Sequence, residues 1–181
     1  GVIGVPLPMD RLLPGVRAAA AALGPGGGDD AAAAILTTDR GPKQARVDRD
    51  GFVVGGMAKG AGMIHPQLAT MLAVVTTDYP LESGEPAVFL RAAVDTSFNR
   101  ISVDGECSTN DAVVLLANGA SGVARNGARD ERFAEALGEV CDALAREIVS
   151  DGEGSTVLLE IAISGALRHV AQDHGEELLR A

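Results

Sequence analysis

Tryptophan is absent from the 181 residues, and the aromatic side chains amount to one Tyr and four Phe. Because 46% of the residues are nevertheless hydrophobic, the core has to be built from Ala, Val, Leu and Ile. The only cysteines are Cys107 and Cys141, which are too few for a disulfide framework and are typical of a reducing compartment. We therefore expect a cytoplasmic protein in which Cys141 acts as a small hydrophobic residue.

Positive charge is also scarce, with 15 Lys and Arg against 25 Asp and Glu, a formal net charge of -10 and a pI near 4.7. This balance argues against a nucleic-acid partner, which would need clustered basic residues.

No apolar run reaches the length of a membrane span, and no signal peptide opens the sequence. His65 has no second or third ligand nearby, so we expect no metal site.

The sequence begins without Met, and its first six residues resemble the middle of a strand-to-loop unit, so we expect a fragment of a longer protein. Apolar spacing and breaker residues predict alternating helices and strands, which indicates an α/β or α+β class. Predicted helices cover 9–23, 31–36, 86–99, 130–150 and 165–181, with a loop at 24–30. Predicted strands cover a hairpin at 44–54, then 71–78, 101–103, 112–117 and 155–163.

A glycine-rich segment, GGMAKGAGMIHPQLATML, begins at residue 55 and is predicted to be a loop that ends at Ala69 and Thr70. Its glycines could cradle a phosphate, but the P-loop pattern requires Gly-Lys-Ser/Thr at the start of a helix, and an apolar strand follows here. By itself, Thr70 fits an ordinary β-prone residue at a strand start. A Thr hydroxyl becomes a useful nucleophile when a base lies beside it, such as its own free α-amine.

The same segment, GGMAKGAGMIHPQLATMLAVVTTD, resembles the self-cleavage region of the bifunctional ornithine acetyltransferase / N-acetylglutamate synthase family of arginine biosynthesis. Four other stretches resemble that family in the same order: GVIGVPLPMD, AILTTDRGPK, FNRISVDGECSTNDAVVLLANGA and SDGEGSTVLLEI. The resemblance covers about residues 1–163. It implies central β-sheets flanked by helices, as in the ornithine acetyltransferase / DmpA-like fold. It also implies that 1–69 ends an α chain, that 70–163 begins a β chain, and that 164–181 is a divergent tail.

The resemblance implies that the precursor cuts itself between Ala69 and Thr70, which makes Thr70 an N-terminal nucleophile. Acetyl would move from N-acetylornithine to Thr70 and then to glutamate. Gly1 matches one oxyanion donor of the family, whose companion Thr would stand immediately upstream. The positions that match substrate-binding residues are Thr37, Lys59, Thr70 and Glu153.

Each of these positions also has a plain structural interpretation. Lys59 could be a solvated loop lysine, Thr37 a helix terminator, and Glu153 an acidic turn residue. Two other functions stay open: a hydrolase or aminopeptidase of related fold with an N-terminal nucleophile, or an inactive fragment. The resemblance implies α and β chains from one precursor, in an α2β2 assembly without a cofactor, and leaves open whether acetyl-CoA is a second donor.

Overall fold

The computed structural model describes residues 5–65, 71–106, 108 and 110–162. Its helices are α1 (Met9–Ala21), α2 (Gly28–Ala34), α3 (Glu85–Asp95) and α4 (Gly127–Ser150), with a 3-10 turn at Phe98–Arg100. Its strands are β1 (Lys43–Arg49), β2 (Phe52–Lys59), β3 (Leu72–Thr77) and β4 (Ala112–Ala117). None of the described helices is long and apolar enough to cross a membrane.

The four strands form one mixed sheet in the order β1-β2-β3-β4. The first three pair antiparallel, whereas β4 runs parallel to β3 and follows it through α3. A parallel neighbour requires such a crossover, because a tight hairpin reverses the chain. The predicted α/β class is confirmed. The finer prediction of a DmpA-like arrangement with more than one central sheet stays a prediction.

The long helix α4 packs against β1 and β2 and covers one face of the sheet. Its predicted apolar stripe is confirmed, since the stripe side chains are all fully buried. They are Phe133, Leu137, Val140, Cys141, Leu144 and Ile148. The helix begins three residues before the predicted start, because the Asn126 side chain accepts the backbone N–H of Arg129 at 2.9 Å and caps the helix.

The few aromatic residues are concentrated at one end of this core. Tyr79 stacks on Phe133 with ring centroids 4.7 Å apart, and Phe52 meets Tyr79 edge-on at 4.9 Å. The buried Tyr79 donates its hydroxyl to Asp130 at 2.6 Å, which satisfies its polar end. Burial, and then the bond to Asp130, raises the pKa of Tyr79 to about 12. This cluster joins β2, β3 and α4.

The predicted hairpin is confirmed, and its turn is made by Asp50 and Gly51, which both have positive φ.

The predicted glycine loop is wrong at its beginning, because Gly55 and Gly56 lie inside β2 and the strand continues to Lys59. Gly56 faces α4. A β-carbon there would lie 3.0 Å from Leu144 Cδ1 and 3.1 Å from Val140 Cγ1. This glycine therefore permits the close approach of the helix to the sheet.

Two predicted strands are wrong where the structure describes them. Residues 101–103 make one isolated bridge, between Val103 and Ile64, and no ladder. Residues 155–162 form no strand, and Val157 and Leu159 are 80% and 71% exposed. An apolar run becomes a strand only where a neighbour pairs with its backbone, and the described residues provide none at these places.

Smaller differences concern the helix ends. The predicted loop at 24–30 is too long, since α2 begins at Gly28 with Asp29 and Asp30 in its first turn, where the helix dipole favours acidic residues. The helix predicted over 86–99 ends at Asp95 as α3. Those predicted over 9–23 and 31–36 end at Ala21 and Ala34. The helix predicted over 165–181 lies outside the described residues.

Gly56→Ala is expected to lower the free energy of unfolding by about 1–3 kcal/mol, because the new methyl group overpacks the contact with α4. The matched control is Gly55→Ala, on the opposite face, where a β-carbon meets only the Ala45 carbonyl at 3.9 Å. Urea unfolding of both variants measures the difference. Equal stability of the two would contradict this account of Gly56.

Candidate active site

One end of the sheet carries the chemistry-bearing residues. Lys59, Leu72 and Ala112 occupy one row across β2, β3 and β4. One position beyond this row, Met71 precedes β3 and Asp111 precedes β4. The end of β2 therefore lies beside the beginnings of β3 and β4. This register places Lys59, Met71 and Asp111 at the same edge of the sheet.

The structure brings Lys59 and Thr37 into direct contact. Lys59 Nζ donates to Thr37 Oγ1 at 2.8 Å, across 22 residues of sequence. Asp39 holds both partners in place: one oxygen accepts the backbone N–H of Gly60 at 2.6 Å, and the other accepts that of Thr37 at 3.3 Å. Asp39 therefore fixes the backbone at Thr37 and next to Lys59, on both sides of their contact.

The charge state of Asp39 matches this role. Burial acts to raise the pKa of Asp39, but the hydrogen bond from Lys43 and the N–H groups of Gly60 and Thr37 outweigh it, so the pKa is lowered. Asp39 is therefore a carboxylate at neutral pH. Its stabilising contribution is present above the ordinary Asp pKa and is lost as the pH falls through the lowered value.

Glu153 approaches the same segment from the residues that follow α4. Its backbone N–H donates to the Ala61 carbonyl at 2.6 Å. Its side chain lies against Gly62, where a β-carbon would stand 3.4 Å from Glu153 Cδ and 3.3 Å from Asp104 Oδ2. Glu153 thus reaches the stretch directly after Lys59, and Asp104 fixes that stretch by accepting the Met63 N–H at 2.7 Å.

Asp111 holds the first described residue after the predicted cleavage point. Its Oδ1 accepts the Met71 N–H at 2.7 Å, while its Oδ2 is buried and has no hydrogen-bond partner among the described residues. Burial raises the pKa of Asp111, and the Met71 N–H and the charge of Lys59 oppose that rise. Burial of this carboxylate carries a desolvation cost at the edge that carries Lys59.

Three residues of the predicted site, Gly1, Ala69 and Thr70, lie outside the described residues. His65 Nδ1 lies 3.4 Å from Ser102 Oγ. Within 5–65, 71–106, 108 and 110–162, no three His, Cys, Asp or Glu side chains are grouped so that they could hold a metal ion. Burial raises the pKa of Cys141 to about 12, which leaves this thiol protonated and unreactive at neutral pH.

A sequence model of the ArgJ family matches residues 1–178, which is nearly the entire chain. The chain belongs to the ArgJ family. The chain is 56% identical over 173 residues to the arginine biosynthesis bifunctional protein ArgJ of Symbiobacterium thermophilum. It is 51% identical over 166 residues to the protein of that name from Streptomyces avermitilis, and 46% over 173 residues to that of Thermosynechococcus vestitus.

These alignments cover 92% of this chain but 43%, 43% and 41% of the three relatives. The chain therefore spans less than half the length of the curated ArgJ proteins that it matches. The resemblance that the sequence motifs indicated is confirmed at the level of the family.

In this ArgJ-family chain, the described side chains offer complementary charges at one edge of the sheet. The Lys59 ammonium, which the Thr37 hydroxyl orients, can receive a carboxylate through a charge-assisted hydrogen bond. The Glu153 carboxylate can receive an ammonium group. An amino acid carries groups of both kinds.

Sequence reasoning overlooked the residues that support this arrangement, namely Asp39, Lys43 and Asp151. One signal was present: Lys43 alternates in register with Ala45 and Val47, the inward positions of β1. A lysine on the buried side of a strand requires a carboxylate partner.

Asp111→Asn is expected to gain stability relative to the wild-type protein as the pH rises from 4 to 8. Burial raises the folded-state pKa of Asp111, so ionisation costs free energy in the folded state above its ordinary pKa, and Asn removes that cost. Urea unfolding at both pH values measures the change. The control Asp48→Asn alters an exposed carboxylate that pairs with Arg46, where solvent screening keeps the effect small. A wild-type advantage that grows with pH would contradict the burial argument.

Proposed function

We propose that the protein containing this chain moves an acetyl group from N-acetylornithine to glutamate, with Thr70 as the nucleophile. The observation that carries the proposal is the contact of Lys59 with Thr37 at the end of β2, in a chain of the ArgJ family. The motif resemblance by itself assigns both residues to the substrate. Their direct contact supports a common role.

The first step is self-cleavage at the bond between Ala69 and Thr70. The Thr70 hydroxyl attacks the Ala69 carbonyl carbon, the C–N bond breaks, and the hydroxyl proton passes to the leaving nitrogen, so an ester replaces the amide and the Thr70 α-amine is free. Water then hydrolyses the ester, which frees the Ala69 carboxylate and the Thr70 hydroxyl. This amine has an ordinary pKa of about 8, so a useful fraction is neutral near pH 7 and can accept a proton.

Acetyl transfer then follows a ping-pong course. The Thr70 amine takes the hydroxyl proton while Oγ attacks the acetyl carbonyl of N-acetylornithine. The tetrahedral oxyanion needs hydrogen-bond donors, one of which is Gly1. Collapse releases ornithine, whose nitrogen receives the proton, and leaves acetyl-Thr70. The amine of glutamate attacks this ester, which yields N-acetylglutamate and regenerates the hydroxyl.

Lys59 and Glu153 bind the amino-acid part of N-acetylornithine rather than its reacting acetyl group. Lys59 pairs with the α-carboxylate, with Thr37 beside it, and Glu153 pairs with the side-chain ammonium. With glutamate, whose only nitrogen is the attacking amine, Lys59 pairs with a carboxylate. Acetyl-CoA is a candidate second donor for the same nucleophile, and the chemistry needs no cofactor. The assembly proposed here is an α2β2 tetramer of two chains from one precursor, in the cytoplasm, without a nucleic-acid or membrane partner.

Thr70→Ala is expected to abolish both self-cleavage and acetyl transfer, because it removes the hydroxyl that both steps use. Intact-mass measurement of the full-length precursor should show two chains for the wild-type protein and one for the variant. The control Thr76→Ala changes an exposed threonine within β3 and should cleave like the wild type. A wild-type protein that stays a single chain would refute the assignment of the nucleophile.

The effect of adding glutamate, the proposed acetyl acceptor, distinguishes acetyl transfer from hydrolysis. The wild-type protein is incubated with N-acetylornithine, with and without glutamate, and the products are measured. N-acetylglutamate is the expected product when glutamate is present. Release of acetate at the same rate in both reactions would favour the hydrolase of related fold.

Lys59→Met is expected to raise the KM for N-acetylornithine about 10- to 100-fold, because a charge-assisted hydrogen bond contributes about 1.5–3 kcal/mol. The side chain keeps a similar length and loses only its ammonium group. Steady-state kinetics of the cleaved protein measures KM, with Arg91→Met on the exposed side of α3 as the control. An unchanged KM for Lys59→Met would remove Lys59 from the substrate site.

A further inference from the structure

A buried lysine lies at the centre of the region that supports the candidate site. Lys43 is 3% exposed, and its ammonium lies 2.7 Å from Asp39 Oδ1 and 2.5 Å from Asp151 Oδ2. The Asp39 side chain is fully buried, and that of Asp151 is 12% exposed. Arg40 adds a second positive charge, with Nε 3.7 Å from Asp151 Oδ1. The four groups, named here the Lys43 network, balance in charge.

The Lys43 network joins three separate parts of the chain. Asp39 belongs to the loop after α2, Lys43 begins β1, and Asp151 directly follows α4. The carboxylate of Asp151 lies at the helix C-terminus, where the helix dipole disfavours negative charge, so it needs the cation beside it. Asp151 also accepts the backbone N–H of Arg40 at 2.9 Å, which ties the end of α4 to the loop.

Three of the proposed substrate residues lie within two positions of a residue that belongs to this network or is bound by it. Thr37 donates its N–H to Asp39, and Lys59 directly precedes Gly60, whose N–H also binds Asp39. Glu153 follows Asp151 by two residues. Three segments that are far apart in sequence thus meet at one buried ammonium group.

We propose that the Lys43 network is a positioning device that sets Thr37, Lys59 and Glu153 in the geometry that binds the amino-acid substrate. This inference rests on the proposed function. The network has no bond to Met71 or Asp111 among the interactions of the described residues. Its loss should therefore weaken substrate binding and leave self-cleavage, which needs no substrate, intact.

The test uses full-length precursor carrying Lys43→Met, with Arg46→Met as the matched control on the same strand. Arg46 pairs with Asp48 on the solvent side, with 67% of its side chain exposed. Lys43→Met should raise the KM for N-acetylornithine by about 10-fold or more, with a smaller change in kcat, because misplaced binding groups lose much of their effect. The extent of self-cleavage, measured by intact mass, should match the wild type.

Lys43→Met leaves two carboxylates facing each other in a buried place, which endangers folding. Asp39→Asn is therefore the second variant, because it keeps the size of the side chain and weakens the hold on Gly60 and Thr37. It should also raise KM while self-cleavage continues. Thermal unfolding of each variant shows whether it is folded.

The outcomes separate the two proposals. A wild-type protein that consumes no N-acetylornithine, with or without glutamate, refutes the proposed function. If the wild type is active and both variants fold, a KM for N-acetylornithine within twofold of the wild-type value overturns the positioning role. A parallel loss of self-cleavage and binding, or failure of both variants to fold, also overturns it, because the network would then be purely structural.

Discussion

The packing of α4 on the sheet is the contact on which the rest of the described structure depends. A chain with so few aromatic residues has to bury many small and medium side chains closely, and α4 does this with a continuous stripe from Phe133 to Ile148. Gly56 lets the helix approach β2, since any larger residue would meet Leu144 and Val140. The same contact fixes where α4 ends, and so where Asp151 lies.

That geometry explains how residues far apart in sequence come to share one edge. The antiparallel hairpin brings the end of β2 next to β1, and the parallel pairing of β3 with β4 aligns the beginnings of those strands. The shared position of Lys59, Met71 and Asp111 at one edge then follows from the strand register. The segment 37–40 belongs to no strand or helix. Hydrogen bonds and ion pairs hold it at this edge instead.

The two kinds of carboxylate at this edge behave in opposite ways. Asp39 is surrounded by N–H donors and an ammonium group, which lower its pKa despite burial. Asp111 has one donor among the described residues, and burial raises its pKa. The number of hydrogen bonds to the charged form therefore sets the direction in which each pKa moves. The edge combines a carboxylate that several donors stabilise, at Asp39, with one for which burial dominates, at Asp111.

The α/β class, the hairpin with its Asp50-Gly51 turn and the buried stripe of α4 can be predicted from the sequence, because each depends on local periodicity or turn chemistry. The sequence motifs also led to the ArgJ family. The three-dimensional contacts were needed to establish that Gly55 and Gly56 lie within a strand, that 155–162 forms none, and that Lys59 reaches Thr37. They alone revealed the partners of Lys43. These features depend on backbone pairing and on charges from distant segments, and no local pattern in the sequence encodes which segments meet.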